Sequence, residues 1–166
     1  MIVHAHRPAP CFLAILSLIA LLLCAPSGVR AAESAVVATD HDQATLVTEQ
    51  DGWSAGGALG VGLRLRLAPG WHTYWSNPGD AGEAPTVVVT ASGCGTGQTG
   101  TILWPTPRRL PEGPLMSYAY TGDTLLPMSL TPRGAGTAPL VLKATADWLA
   151  CSTVCVPEFP LKSVAV

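Results

Sequence analysis

Cys151 and Cys155 stand four positions apart in the segment Trp148-Leu149-Ala150-Cys151-Ser152-Thr153-Val154-Cys155-Val156-Pro157. Two thiols at that spacing can interchange between dithiol and disulfide if the backbone between them turns back. Four extended residues span roughly 13 Å, whereas a disulfide needs Cα atoms under about 7 Å apart. Closing so short a loop contributes only about 2 kcal/mol in the chain-entropy picture, against about 5 for a long one. That is little for a staple and suits a bond that opens and closes. Ser152, Thr153 and Val154 bring no cation, and Asp147 and Glu158 flank the pair with negative charge. Such surroundings disfavour a thiolate, so the expected thiol has an ordinary or raised pKa.

The start of the chain bears on whether a disulfide can persist. His4, His6 and Arg7 make a mildly basic beginning, Phe12 to Leu23 is an apolar run, and Val29-Arg30-Ala31 puts small residues at a cleavage position. This reads as a secretory signal over residues 1–31, cleaved after Ala31, with one mature domain over 32–166. Leu23 before Cys24 argues against a lipoprotein site. Export gives an oxidising compartment in which disulfides persist. Removing the signal discards Cys11 and Cys24 and leaves Cys94, Cys151 and Cys155. Three is odd, so one thiol is unpaired within the chain or pairs with another molecule. The formal net charge is −2 and only 12% of residues are charged. No basic patch interleaved with aromatics is present, which argues against nucleic acid as a partner.

The elements that must position the cysteines read as strands. Leu59 to Leu67 places Leu59, Val61, Leu63, Leu65 and Leu67 on one face and Gly60, Gly62, Arg64 and Arg66 on the other, the period of a half-buried antiparallel strand. Further candidates are Ala44–Thr48, Trp71–Trp75, Thr86–Thr90, Thr101–Trp104, Thr124–Leu130, Leu140–Trp148 and Phe159–Val166. Gly and Pro punctuate them at Pro69-Gly70, Asn77-Pro78-Gly79-Asp80, Gly93 to Gly100 and Pro132-Arg133-Gly134. No helical period emerges. The expectation is an all-β, immunoglobulin-like antiparallel β-sandwich of about eight short strands.

The run Gly70-Trp-His-Thr-Tyr-Trp-Ser-Asn-Pro-Gly-Asp-Ala-Gly82, with Trp104-Pro105, Leu110-Pro-Glu-Gly113, Tyr118-Ala-Tyr120, Gly122, Leu126-Pro127 and the segment from Trp148 to Pro157, resembles the N-terminal periplasmic domain of the DsbD family. Within it, the Cys-x-x-x-Cys spacing is similar to the ScsB-type branch, associated with suppression of copper sensitivity. The resemblance covers roughly Gly52 to Val166. It implies a domain that relays reducing equivalents, taking electrons from a membrane-embedded donor domain, in cis or in trans, and passing them to periplasmic thioredoxin-like or disulfide isomerase-like proteins. It implies that Cys151 and Cys155 are the redox pair, with Cys155 forming the mixed disulfide and Cys151 resolving it. It implies a cap over the active site between Leu110 and Tyr118, including Glu112 and Met116, and aromatic flanking of the cysteines by the strand of His72 and Tyr74. No organic cofactor and no resident metal are implied.

Two other readings stay open. Cys151–Cys155 could be an inert bridge on a secreted structural sandwich. Alternatively Cys94, Cys151 and Cys155 with His72 or His41 could supply a copper or zinc site. Blander roles are expected elsewhere. The five tryptophans suit the sandwich core, with Trp75 exposed opposite Tyr74. Asn77 to Asp80 suits a tight turn capped by a side chain. Arg108-Arg109 suits either a solvated face or a steering patch for an acidic partner.

Overall fold

The computed structural model describes residues 31–93, 95–134, 139–158 and the backbone of 161–165. Residues 1–30 of the signal expected over 1–31, together with Cys94 and Phe159, lie outside the described residues. Described strands are β1 (Val37–Ala38), β2 (Asp42–Thr48), β3 (Leu59–Leu67), β4 (His72–Gly79), β5 (Thr86–Gly93), β6 (Gly95–Gln98), β7 (Arg108–Glu112), β8 (Leu115–Thr121), β9 (Asp123–Leu130), β10 (Arg133–Gly134), β11 (Leu140–Cys151), β12 (Cys155–Glu158) and β13 (Leu161–Ala165), with no helix among the described residues.

They form two antiparallel sheets. The smaller runs β1-β2-β3-β9; the larger runs β10-β6-β5-β11-β4-β8-β7, with β12 and β13 also paired to β11. The leucine alternation of β3 sets the smaller sheet. Leu63 lies opposite Leu46 of β2 on one side and Leu126 of β9 on the other. Those leucines, with Leu59, Leu65, Met128 and Leu130, meet Val89, Leu140, Leu142, Ala144 and Trp148 of the larger sheet to make the core. Each fully buried aliphatic side chain contributes about 1.5–3 kcal/mol of transfer free energy. Arg64 on the opposite face donates to Asp123 at 2.8 Å, so the polar side of β3 is solvated and paired as its alternation predicts.

Three features depart from the sequence expectation. Among the described residues thirteen strands stand where about eight were expected, because several pairings are two to five residues long and carry little periodicity. Thr101 to Trp104 is not a strand. Ile102 is buried and Leu103 donates to the Pro127 carbonyl at 2.8 Å, but Pro105 and Pro107 remove the donors a ladder would need. Conversely, Leu110 to Tyr118 is not a loop. It lies in the hairpin β7–β8, with Leu110 opposite Ser117 and Glu112 opposite Leu115. Pro111 is tolerated because β7 is an edge strand of the sheet.

β11 joins the two halves of the larger sheet. Its first part pairs with β5 as far as Asp147–Thr86 and with β13; its last residues pair with β12 and, at Cys151, with His72 of β4. The strand therefore exchanges both neighbours around Trp148.

Candidate functional site

The site begins where β11 ends. Cys151 closes the strand, Ser152 donates its N–H to the Val154 carbonyl at 2.9 Å, and Cys155 opens β12 directly opposite Cys151. The turn brings the Cα atoms to 4.1 Å, and a disulfide joins the sulfurs. The two cysteines are unequal. Cys151 is 1% exposed, Cys155 is exposed, and the neighbouring Val154 is 60% exposed.

Strand alternation decides what surrounds Cys151. Trp148 packs in the main core, and alternation puts the buried Ala150 on its side and Leu149 and Cys151 on the other side of the sheet. There a second small cluster forms from Tyr74, Ala119 and Cys151, with Leu110 and Leu149 packed against it. His72 lies opposite Cys151, and Tyr74 two residues on lies opposite Ala119. Both side chains are buried and their rings meet edge-on at 5.2 Å.

Tyr74 reaches the exposed cysteine. Its hydroxyl lies 3.7 Å from the Cys155 sulfur, and burial first, then the charge of Glu112, raises its pKa above the usual phenol range. A protonated hydroxyl thus faces the sulfur at neutral pH. Glu112 lies 3.8 Å from His72 Nε2 and accepts from the Ser117 hydroxyl at 2.8 Å. Burial lowers the His72 pKa, Glu112 opposing it. The imidazole is therefore neutral, and the long His72–Glu112 approach is a weak polar contact, not an ion pair. His72 Nε2 has no hydrogen-bond partner in its buried position.

A loop closes over Tyr74. Asn77 Oδ1 accepts from the Gly79 N–H at 3.3 Å. Asp80 Oδ2 accepts from the Met116 N–H at 2.8 Å, while the Asp80 N–H donates to the Met116 carbonyl at 3.1 Å. Asn77 to Gly79 thus form the bulged end of β4, not the tight turn expected from the sequence, and the Asp80 side chain caps β8 across the sheet. Gly82, with φ +95°, lies so close to the Tyr74 ring that a Cβ there would overlap it.

Of the residues singled out in the sequence, Cys151, Cys155, His72, Tyr74, Leu110 and Glu112 are brought together. Met116 and Tyr118 are not. They alternate with Ser117 and Ala119 and turn to the other side of β8, where the Tyr118 ring meets Trp75 at 6.1 Å. Met116 serves the site through its backbone, by holding Asp80. Trp75 is half-buried against the main core, not exposed. Trp71 is the tryptophan outside the core cluster, its ring meeting His41 at 4.0 Å with a tilt of 42°. The flanking acids point elsewhere: Glu158 pairs with His41 at 2.9 Å and Asp147 accepts from the Thr86 hydroxyl at 3.2 Å. Glu112 is the carboxylate whose charge reaches Tyr74 and His72. Ser117, Ala119 and Gly82 were not foreseen as site residues, since nothing local in the sequence shows that Gly82 packs on an aromatic ring. Among the described residues no three His, Cys, Asp or Glu side chains cluster to hold a metal ion.

A disulfide with one shielded and one open sulfur, beside a phenol donor, is an arrangement for thiol–disulfide interchange. Comparisons agree with that chemistry. The family described as thiol:disulfide interchange protein DsbD, N-terminal, matches residues 42–162. The fold is similar to the crystal structure of the N-terminal periplasmic domain of ScsB from Proteus mirabilis, with TM-score 0.61 and 24% identity, over 81% of this chain and 51% of that one. This chain thus spans about half the length of that solved chain. No curated protein sequence matches significantly. The two sheets form the immunoglobulin-like sandwich of this family. With the family match covering most of its length, the chain belongs to the DsbD N-terminal domain family of thiol:disulfide interchange proteins.

Proposed function

We propose that this domain relays reducing equivalents in the periplasm by cycling Cys151–Cys155 between disulfide and dithiol. The observation that carries the reading is the asymmetry of the pair: Cys155 is exposed and Cys151 is 1% exposed. A partner sulfur can reach only Cys155. In the reducing direction the Cys155 thiolate attacks one sulfur of a partner disulfide, and the partner's other sulfur leaves as a thiolate. The Cys151 thiolate then attacks the Cys155 sulfur, and the partner's attacked sulfur leaves with the electron pair. Two electrons have passed to the partner, which takes up two protons, and the domain is left as the disulfide.

Recharging runs the other way, with a donor thiolate attacking Cys155 and expelling Cys151. Burial makes Cys151 a poor anionic leaving group, so a small thiol should reduce the bridge slowly and a docked donor quickly. The Tyr74 hydroxyl stabilises charge developing on Cys155. The Asp80–Gly82 loop and the β7–β8 hairpin shield the buried cluster between encounters. Thioredoxin-like or isomerase-like proteins are the acceptors in this reading, and a membrane-embedded domain, in cis or in trans, is the donor. Residues 1–31 serve as the cleaved signal and 32–166 as the exported domain.

Reduced Cys151→Ser protein offered an oxidised thioredoxin-like protein tests the reading. Mass mapping should find a stable mixed disulfide through Cys155. No adduct, or one through another cysteine, overturns it.

A further inference from the structure

Beside the disulfide, a groove of about 360 Å³ opens on the sheet, lined by Glu83, Ala84, Thr86, Asp147, Leu149 and Pro157 together with Trp148. Its origin is the change of partners along β11. The ladder to β5 ends at Asp147–Thr86 and the pairing to β4 is at Cys151–His72, so the sheet parts between them. Leu149 lies opposite Pro157, two residues from the facing cysteines, and alternation puts all four side chains on one face. The groove is thus one side-chain repeat, roughly 7 Å, from the reactive sulfurs.

The lining is of two kinds. Ala84, Leu149 and Pro157 make an apolar floor, and Glu83 and Asp147 are exposed carboxylates at its rim. The Thr86 hydroxyl fixes Asp147 by donating to it at 3.2 Å. Among the described residues no cation lies within ion-pair distance of either carboxylate. An aliphatic stem ending in a cation matches this lining, burying its methylenes on the floor and its charge at the rim. Lysine and arginine have that build.

Resting on the relay reading, we infer that the groove is a specificity subsite for the partner protein. It takes a lysine or arginine two residues from the partner's reactive cysteine. An extended partner segment that sets its sulfur against Cys155 lays that side chain over Leu149 and Pro157. The two carboxylates favour a basic residue there and disfavour an acidic one, and solvent exposure makes the preference sensitive to salt.

The test uses reduced Cys151→Ser protein and short peptides whose single cysteine is linked to thionitrobenzoate, with Lys, Ala or Glu two residues away. The Cys155 thiolate attacks the peptide sulfur, and thionitrobenzoate leaves with the electron pair and is read by its absorbance. At low salt the Lys peptide should react about fivefold faster than the Glu peptide, as two exposed charge contacts allow. The gap should close in high salt and in a Glu83→Gln, Asp147→Asn background, with the Ala peptide unchanged throughout. Equal rates for the three peptides, or a Lys preference that survives the double substitution, overturn the subsite. Failure of all peptides to release thionitrobenzoate overturns the relay reading itself.

Discussion

The Tyr74 hydroxyl stands 3.7 Å from the sulfur of Cys155, and the ring that carries it is fixed from both sides. Its backbone pairs with Ala119 across β4 and β8, and Gly82 rests on its face. The phenol is therefore a positioned donor whose raised pKa keeps its proton at neutral pH. Its removal should separate chemistry from folding.

Tyr74→Phe keeps the ring and its packing and deletes only the hydroxyl. The domain should fold with little change in denaturation midpoint. Reaction of reduced Cys155 with a disulfide probe should slow about fivefold, the worth of one modest hydrogen bond of about 1 kcal/mol. Stopped-flow rates beside a denaturation curve check both halves.

Gly82→Ala should do the reverse. At φ +95° a side chain is strained, and its Cβ would overlap the Tyr74 ring. Strain and overpacking together should destabilise the domain by about 2–4 kcal/mol. With the lid displaced, a small thiol should reduce the disulfide faster than in the wild type. Denaturant unfolding and the rate of reduction by dithiothreitol measure the two effects.

Trp148 is 3% exposed and donates its indole N–H to Asp42 at 2.6 Å. Trp148→Phe removes that donor and leaves the buried carboxylate with less support. It should cost about 1–3 kcal/mol from the unmade bond alone. Unfolding followed by circular dichroism, a signal that does not depend on the replaced indole, checks this.

His72 gives a pH dependence of definite sign. Its folded-state pKa lies below the ordinary 6.5, because burial disfavours the cation more than Glu112 favours it. Below the ordinary value the unfolded chain takes up a proton that the folded chain refuses. This contribution is therefore fully present above about pH 7 and is lost as pH falls through the ordinary histidine value. Between pH 7.5 and 5.5, about one unit either side of that value, the wild-type midpoint should fall further than that of His72→Gln. Equal falls would contradict the assignment.

Legibility in the sequence followed how much each feature is local. The β3 strand was readable to its ends, because five apolar residues alternate without interruption from Leu59 to Leu67. The cysteine pair was readable because its spacing limits its geometry. The β7–β8 hairpin was not. Pro111, Gly113 and Pro114 carry loop signals, yet the segment pairs with itself as β7–β8 and β8 pairs in turn with the distant β4. The same non-local pairing decides which acid matters. Asp147 and Glu158 are neighbours of the cysteines in sequence, yet hydrogen bonding takes them to Thr86 and His41. Glu112 arrives through the sheet.

The claim that the Cys151–Cys155 bridge opens and closes in use is tested most directly by its equilibrium. The domain is held in graded glutathione redox buffers, and free thiols are counted by alkylation and mass. The account predicts a transition within the range of known exchange proteins, about −120 to −270 mV. A bridge still closed below about −300 mV would contradict it and make the disulfide a staple.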